Sequence, residues 1–355
     1  MKSRTYRLFG EDLTLSQLRD RAPDLGSIAG FSPCRLLDGP EHDTLAVEVR
    51  TGTGFEYTVV PDRGMNICRA RYCGVPLDWS SGTGIVAPAF YESGGWKWLH
   101  SFNGGLVHTC GLDNVGSPSV DESVRDDNRD FGGHGRISST PARGVSWRTV
   151  EEDGVLCLEV AGAVHAISAT EGHILLERRV LSELGGSRLF IRDTVTNLGG
   201  EPAPIFLLYH CNLGFPLLSE RSTLRIPHDG AVDVSGAAVY DLERIGLPGD
   251  GSGEQVIYPT VREGDVRVEL INPSLSREPY AGGLGVYLSY KTSELPCLTI
   301  WKKLLSRHYV LGIEPGTCRV EGRVSETKAG RALVLGKDET RRFTLEIGVC
   351  GKERA

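Results

Sequence analysis

The sequence lacks the long apolar segments that mark membrane and secreted proteins. It has no stretch of about 18 consecutive apolar residues, so we predict no transmembrane helix. The first 21 residues, MKSRTYRLFGEDLTLSQLRDR, begin with basic residues but have no apolar block of the kind that a secretory signal requires. These absences predict a cytoplasmic protein.

An excess of positive charge is also missing. The chain has 39 Lys and Arg against 46 Asp and Glu, which gives a formal net charge of −7, and it has no long basic run. Nucleic acids and anionic membranes are bound mainly through clustered Lys and Arg. The charge balance therefore argues against both as partners.

Closely spaced cysteines are absent as well. The nine cysteines are spread from Cys34 to Cys350, no Cys-x-x-Cys motif occurs, and the closest pair is Cys68 and Cys73. An odd, scattered set of this kind predicts neither a disulfide framework nor a zinc finger. We expect most of these cysteines to be small buried side chains in a reducing compartment.

What the chain does contain is a series of short apolar segments separated by glycine-rich breaks. This pattern, with 45 glycines and 40% hydrophobic residues in 355, is typical of an antiparallel all-β protein. The segments that we predict as strands are Leu45–Arg50, Phe55–Val60, Val155–Val160, His173–Val180, Arg188–Val195, Val266–Ile271, Leu284–Tyr290, His308–Ile313 and Phe343–Val349.

One short helix is predicted, over Leu13–Arg21, with Thr14 or Ser16 near its start and Pro23 after its end. We expect residues 1–30 to form an N-terminal extension packed on a single domain of residues 31–355, because no repeat or linker divides the rest. Residues 91–139 lack clear strand signals and are rich in Gly, Asp, Asn and His. Irregular polar segments over a β scaffold are where binding sites are often built.

Four clusters carry side chains suited to a site. The first is Arg63 in Pro-Asp-Arg-Gly, where the guanidinium could bind hydroxyls; the second is Trp96-Lys-Trp98, whose rings could stack on a sugar face. Each has a structural alternative, since an Asp–Arg turn can be scaffold and a tryptophan can be core. Cys110, which follows the second cluster, we expect to be packed rather than nucleophilic.

The other clusters are richer in acid–base chemistry. His134 lies between two glycines, which leaves its ring open to a ligand, and Arg136 follows it. His210 and Glu314 each end a strongly apolar strand, where partial burial shifts the pKa toward neutrality and suits proton transfer. Taken singly, His210 could also be a satisfied polar group in a β core.

In this order, the clusters resemble the galactose mutarotase-like superfamily, in its bacterial, aldose 1-epimerase-like branch. The resemblance spans roughly residues 55–349. It rests on His134-Gly followed by Trp147, on Asp193-Thr-Val-Thr-Asn leading to Tyr209-His210-x-Asn212, and on Trp301-Lys302 before Tyr309-x-x-Gly-Ile-Glu314-Pro. It implies a β-supersandwich with an open cleft on one face where a sugar lies.

The resemblance also implies roles for single residues. Glu314 matches the general base that takes the proton of the anomeric hydroxyl, and His210 matches the acid that protonates the ring oxygen. His134 matches a histidine that holds the substrate, and Arg63 is a counterpart of the sugar-binding arginine. The family's sugar-binding aspartate has no match here. The implied activity is that of a mutarotase without a cofactor or metal, acting on a small-molecule sugar.

Further substrate contacts are expected from Arg136, Lys302, Asn212 and Trp98. If Arg63, Arg136 and Lys302 all line the cleft, they could pair with an anionic group on the sugar; equally, Lys302 could be scaffold. The sequence leaves open which sugar is used, whether it is an aldose or a ketose, and the oligomeric state, a homodimer included.

Three rival functions remain at this point. A sugar-binding or sensing protein could use the same scaffold without catalysis, although it would need no matched acid and base. An epimerase acting at a C–H bond beside a carbonyl could use the same two groups. A metal hydrolase is disfavoured because no His-Glu-x-x-His motif occurs, and His100 and His108 fall in a segment that we predict as loop.

Overall fold

A computed structural model of the chain describes residues 4–124, 129–169, 172–277, 279–280 and 282–351. The described strands are β1 (Thr5–Leu8), β2 (Glu11–Thr14), β3 (Gly30–Arg35), β4 (Leu45–Arg50), β5 (Phe55–Val60), β6 (Asn66–Tyr72), β7 (Val75–Pro76), β8 (His108–Leu112), β9 (Ser119–Val120), β10 (Asp130–Phe131), β11 (Arg143–Glu152), β12 (Val155–Ile167), β13 (His173–Glu183), β14 (Arg188–Asn197), β15 (Ala203–Gly214), β16 (Thr223–Arg225), β17 (His228–Asp233), β18 (Glu254–Val261), β19 (Asp265–Asn272), β20 (Leu284–Lys291), β21 (Cys297–Leu305), β22 (His308–Gly316), β23 (Leu333–Leu335) and β24 (Thr340–Gly351).

Helical segments in the described ranges are short. The α-helices are α1 (Leu15–Arg21) and α2 (Arg323–Lys328). The 3₁₀ helices are Leu25–Ser27, Gly39–Glu41, Pro61–Arg63, Pro88–Phe90, Lys97–Ser101 and Ile137–Ser139.

Three antiparallel sheets make up most of the molecule. The first has eight strands in the order β11-β12-β13-β14-β24-β20-β19-β16, and the second has seven, β17-β18-β21-β22-β15-β23 with β8 also paired to β15. The third is the five-stranded meander β3-β4-β5-β6-β7, and two hairpins, β1-β2 and β9-β10, complete the set. The architecture is the predicted antiparallel β-supersandwich.

The main core lies between these sheets because the strands alternate. On β15, Leu207, Tyr209, Cys211 and Leu213 belong to one large apolar cluster that also includes residues of β4 to β6, β12 to β14 and β19 to β24. Successive side chains of a strand point to opposite faces of the sheet. The even-numbered side chains of β15, His210 among them, therefore face away from this core.

The predicted strands are all present. Leu45–Arg50 and Phe55–Val60 coincide with β4 and β5, and the other seven predicted segments lie within longer strands. The helix begins later than expected, at Leu15, because Glu11–Thr14 forms β2; Thr14 is its N-cap and makes a capping box with Gln17. Helix α2 carried no clear signal, and the segment predicted as loop contains β8.

The N-terminal hairpin and helix α1 contribute to a separate small apolar cluster. Tyr6, Leu8, Leu13 and Leu18 pack there with Leu184, the residue after β13, and Tyr6 Oη accepts a hydrogen bond from the backbone of β12. The division into an extension of residues 1–30 and a domain of residues 31–355 stays a prediction.

All nine cysteines are free thiols, and six of them are buried. None of the helices in the described residues is both long and apolar enough to cross a membrane.

Candidate functional site

The register of the seven-stranded sheet brings the two predicted acid–base residues together. Pairing of Leu208 with Gly316 and of Cys211 with Ile313 places His210 opposite Glu314 on neighbouring strands β15 and β22. On the outer sides of these two strands, His108 of β8 pairs with His210, and Thr299 of β21 pairs with Glu314. Because cross-strand partners point to the same face, these side chains form one row.

Within this row, His210 and Glu314 are in direct contact. His210 Nε2 lies 3.1 Å from Glu314 Oε1, and both side chains are about 95% or more buried, with exposures of 5% and 2%. The approach does not meet hydrogen-bond geometry, so Glu314 Oε1 has no hydrogen-bond partner; the other ring nitrogen of the histidine, His210 Nδ1, has none either. Buried polar atoms in native proteins are seldom left unpaired, which marks these two as places where a ligand would bind.

Burial also sets the protonation of the pair. Loss of water raises the pKa of Glu314 well above that of an ordinary carboxyl group. Burial, reinforced by the nearby His134, lowers the pKa of His210 well below the ordinary histidine value. Without a ligand, both shifts favour the uncharged forms of the pair, a carboxylic acid and a neutral imidazole, which together hold one titratable proton.

Space for the carboxyl group comes from a glycine two residues earlier on β22. A Cβ at Gly312 would lie 2.5 Å from Glu314 Oε1 and 3.1 Å from the Cβ of Trp301. At a distance below 3.0 Å, the neighbouring atom or the backbone has to move. The absence of a side chain at position 312 therefore lets Glu314 sit beside the Trp301 ring.

His134 reaches the site from a loop and not from the sheet. Its φ of +55° lies in the left-handed region, which non-glycine residues adopt rarely and mostly at special positions. The glycine on each side is required, since a Cβ at Gly133 would lie 2.7 Å from Trp98 and one at Gly135 would lie 2.3 Å from Asp113. The two glycines of the Gly-His-Gly motif therefore allow neighbouring groups to pack closely against the backbone on both sides of His134.

The tautomer of His134 follows from its hydrogen bonds. The backbone N–H of Gly116 donates to His134 Nδ1 at 3.4 Å, and burial lowers the pKa of His134 to about 4. The neutral ring therefore carries its proton on Nε2. With its ring centroid 5.6 Å from that of His210, His134 offers a hydrogen-bond donor beside the acid–base pair.

His210, Glu314 and Thr299 of the row and His134 of the loop line a cleft of about 1000 Å³ with strongly aromatic walls. Phe102 and Trp301 flank His210, with ring centroids 5.2 Å and 5.3 Å away, and Trp98 packs 4.7 Å from the ring of His134. The side chains that line the cleft are Trp79, Ser81, Thr83, Trp96, Trp98, Leu99, Phe102, Ser117, His134, His210, Val234, Glu254, Val256, Tyr258, Thr299, Trp301, Lys303, His308, Glu314, Val320 and Glu321.

Arg63, predicted to bind substrate, is not among the lining residues. Its guanidinium is 1% exposed and donates to the carbonyl oxygens of Val86, Ser101 and Ser138. These carbonyls belong to three segments around the cleft, and they occupy the donors that a sugar would need. The arginine therefore holds loops in place instead of contacting the cleft.

Arg136 and Lys302 also lie outside the cleft lining. Arg136 points to solvent and is 3.6 Å from Asp113 in an ion pair. Lys302 is buried on the opposite face of β21, where Nζ donates to the carbonyl of Arg244 at 2.9 Å. The strand alternates, so the cleft receives Trp301 and Lys303 instead. The suggested cluster of three cations for an anionic sugar is therefore not assembled.

Two further predicted residues differ in outcome. Trp98 lines the cleft, and its Nε1 is buried without a hydrogen-bond partner. Asn212 lies on the same face of β15 as His210, but its amide donates to the carbonyls of Gly105 and His210, and it is not among the lining residues. Cys110 is fully buried in an apolar cluster, and burial raises the pKa of its thiol.

Sequence reasoning missed several residues of the site. His108 is the first residue of β8 and lies next to His210, although its segment was predicted as loop. Thr299, Trp301 and Lys303 share the cleft face of β21. The alternation of side chains along β21 would identify these three residues if the sequence also showed which face of the strand borders the cleft.

Apart from the histidines, most of the acidic and basic side chains on the cleft lining are glutamates. Glu254, Glu314 and Glu321 line it together with Lys303, and Lys303 Nζ lies 3.1 Å from Glu254 Oε2. Glu254 Oε1 also accepts a hydrogen bond of 2.7 Å from Trp301 Nε1. In the part of the chain that the structure describes, no three or more His, Cys, Asp or Glu residues are grouped so that they could hold a metal ion.

Comparisons with known structures support the fold. An aldose 1-epimerase candidate from Klebsiella pneumoniae superposes with a TM-score of 0.80 at 22% identity, covering 94% of this chain and 86% of that one. The Slr1438 protein of Synechocystis gives 0.63 at 18% identity over 91% and 98% of the two chains. A galactose mutarotase-like protein of Clostridium acetobutylicum gives 0.56 at 13% identity over 92% and 100%.

These similarities confirm the galactose mutarotase-like fold that the motifs implied. At sequence identities of 22% or less, they are evidence for the fold alone. A comparison with curated protein sequences gave no match. The family model described as "Domain of unknown function (DUF4432)" matches residues 41–349, which is most of the chain. The chain therefore belongs to the DUF4432 family and has the galactose mutarotase-like fold.

Proposed function

We propose that this protein interconverts the anomers of an uncharged sugar by acid–base ring opening, with Glu314 and His210 as the reacting groups. The observation that carries the proposal is their 3.1 Å contact inside an aromatic cleft, with an unpaired polar atom on each. Proton transfer at two adjacent oxygens of a sugar requires two titratable groups placed side by side.

The reaction uses the single titratable proton that the pair holds. Moving this proton from Glu314 to His210 converts the neutral pair into a carboxylate and an imidazolium. In the charged form, Glu314 takes the proton of the anomeric hydroxyl while His210 gives its proton to the ring oxygen, and the bond between C1 and the ring oxygen breaks. Rotation about C1–C2 and reversal of both transfers close the ring as the other anomer.

Sugar hydroxyl groups supply what the charged form needs. Water is largely excluded from the pair, and burial alone favours the neutral form. A hydroxyl that donates to Glu314 and a ring oxygen that accepts from His210 stabilise the carboxylate and the imidazolium. The pair is therefore poised to become charged when a polyhydroxylated ligand arrives, and its two groups titrate as a coupled system.

The remaining walls suit a sugar ring. Aromatic rings bind the apolar face of a pyranose; Trp98 packs on His134, and Trp301 packs on His210. His134 contributes an N–H group beside His210, and Trp98 contributes another beside His134. The substrate that fits is neutral, because Lys303, the lysine among the described lining residues, is already paired with Glu254 and is not free to bind an anionic group.

The names of several structural neighbours, which refer to aldose 1-epimerases and galactose mutarotases, agree with this proposal. Two rival functions predict different behaviour on the same scaffold. A sugar-binding protein would bind sugars without interconverting them. An epimerase acting at a C–H bond would exchange that hydrogen with solvent.

A single NMR experiment in D₂O separates the three. Saturation transfer between the α and β anomer signals is measured for a panel of neutral aldoses and ketoses, with uronic acids alongside. We expect faster exchange for at least one neutral sugar and no deuterium in any C–H bond. Binding without exchange would favour the sugar-binding protein, deuterium incorporation would favour the C–H epimerase, and a preference for uronic acids would contradict the neutral substrate.

A further inference from the structure

Two hydroxyl groups extend the row of site residues beyond Glu314. Thr299 pairs with Glu314 across β21 and β22, and the pairing of Ile257 with Ile300 places Tyr258 of β18 next to Thr299. Neighbouring strands are about 4.8 Å apart, so the row continues for two strand spacings on the side away from His210. Tyr258 and Thr299 both line the cleft.

Both hydroxyl groups are buried and unpaired. Tyr258 is 2% exposed and Thr299 is 1% exposed, and neither Tyr258 Oη nor Thr299 Oγ1 has a hydrogen-bond partner. A buried hydroxyl without a partner carries its full desolvation penalty. Since both residues line a cleft that a ligand can enter, a ligand hydroxyl is the partner that would remove the penalty.

The tyrosine is held in position and stays protonated. The guanidinium of Arg319 lies 4.5 Å from the centroid of the Tyr258 ring, in cation–π geometry. Burial raises the pKa of Tyr258, with a contribution from nearby Glu321. Its hydroxyl, like that of Thr299, can therefore both donate and accept a hydrogen bond, as the hydroxyl groups of a sugar do.

We propose that Tyr258 and Thr299 form a hydroxyl-binding subsite that recognises the sugar carbons remote from C1. The inference rests on the proposed function, because the position of C1 is set by Glu314 and His210. With its anomeric end at that pair, a sugar directs its other hydroxyls along the row toward Thr299 and Tyr258. A site that hydrogen-bonds a substrate hydroxyl discriminates against an analogue that lacks it. The substrate class is therefore a neutral sugar with free hydroxyls remote from C1.

The chain offers matched controls for both residues. Tyr290 and Thr44 are likewise buried, and their hydroxyls likewise have no partner, but neither residue lines the cleft. Tyr290→Phe and Thr44→Val therefore remove the same atoms as Tyr258→Phe and Thr299→Val without altering the proposed subsite. Thermal melting of all four variants shows whether each retains the fold.

The test measures anomer exchange by NMR for the aldohexose that the wild-type protein converts fastest and for its monodeoxy derivatives. Loss of one neutral hydrogen bond is expected to lower kcat/KM about 3- to 10-fold in Tyr258→Phe and in Thr299→Val, with no change in the controls. For the deoxy sugar that lacks the contacted hydroxyl, the same variants should lose nothing further. Equal rates in site and control variants would overturn the subsite.

Failure of the proposed function is a separate outcome. If the wild-type protein exchanges no sugar, anomer exchange is replaced by titration of D-glucose and D-galactose into the same four variants. Weaker binding to Tyr258→Phe and Thr299→Val than to their controls would then support the subsite in a sugar-binding protein. Equal binding to all four variants, or no binding to the wild type, would reject it.

Discussion

The carboxyl group of Glu314 occupies the space that a side chain at position 312 would fill, since a Cβ at Gly312 would lie 2.5 Å from Glu314 Oε1. Gly312→Ala should therefore displace the carboxyl group from its position beside His210, because the atom nearest the new Cβ is the end of a flexible side chain. The Cβ of Trp301, 3.1 Å away, has to move by only a few tenths of an ångström, so the strand should stay intact. We expect anomer exchange to fall by about 10²-fold or more. Gly230→Ala on β17 is the control, because a Cβ there contacts nothing within 4 Å. Equal activity in both variants would contradict this packing argument.

Replacement of the proposed base should separate catalysis from binding. Glu314→Gln keeps the size of the side chain but cannot accept the anomeric proton, so we expect kcat to fall about 10²- to 10⁴-fold. Binding of the sugar, measured by titration, should survive within a few-fold. Near-normal turnover in this variant would exclude Glu314 as the base.

The pH profile of kcat/KM should reflect the shifted pKa values. The pair holds its one proton between the lowered pKa of His210 and the raised pKa of Glu314. Activity should therefore be lost below the first value, when both groups are protonated, and above the second, when both are deprotonated. We expect no break near 6.5, the ordinary histidine value. A clear loss of activity as the pH falls through 6.5 would count against a buried neutral His210.

Two adjacent lysines should have different roles, because β21 turns them to opposite faces. Lys303→Met removes the partner of Glu254 at the cleft and should change KM several-fold with little effect on stability. Lys302→Met leaves the carbonyl of Arg244 without its donor, which should lower the free energy of unfolding by about 1–3 kcal/mol with little effect on KM. Kinetics and urea denaturation of both variants test this assignment; a reversed pattern would refute it.

His108 should make stability depend on pH. Burial lowers the pKa of His108 well below 6.5, so the unfolded chain takes up a proton that the folded protein does not, and this histidine reduces stability as the pH falls below 6.5. In His108→Asn this effect is absent. The stability deficit of the variant should therefore shrink at low pH, by up to about 1.4 kcal/mol per pH unit.

Chemical denaturation of the wild type and His108→Asn from pH 8 to about 5 measures this deficit directly. A deficit that stays constant across the range would mean that the pKa of His108 is not lowered in the folded protein.

Much of the fold could be predicted because strand formation depends on local pattern. All nine predicted segments lie in strands. Alternating apolar residues bounded by glycines indicate where a strand runs and which of its faces is buried. Strand β8 was not predicted, because His-Thr-Cys-Gly-Leu shows no alternation; its five residues are all buried between neighbours. Burial on both faces depends on what packs there, which a local pattern does not show.

A local pattern also does not show which way the three predicted cationic side chains point. Arg63, Arg136 and Lys302 have the chemistry to bind an anionic sugar, and sequence order puts them near the site. The direction in which each side chain points depends on strand parity and on nearby carbonyl groups, and these turn Arg63 and Lys302 toward the backbone. Thr299 and Tyr258 line the cleft, but a threonine or a tyrosine in a strand does not indicate a site by its chemistry, so the sequence does not predict them.

By itself, the sequence determined which residues could perform acid–base chemistry, namely His210 and Glu314, and that each belongs to an apolar strand. The prediction that each ends its strand was wrong, because β15 continues to Gly214 and β22 to Gly316. The tertiary structure alone decided that they meet, because the pairing of β15 with β22 joins positions 104 residues apart in register. It also decided their protonation, since the pKa of a buried group depends on water excluded by side chains from distant segments, including Phe102 and Trp301.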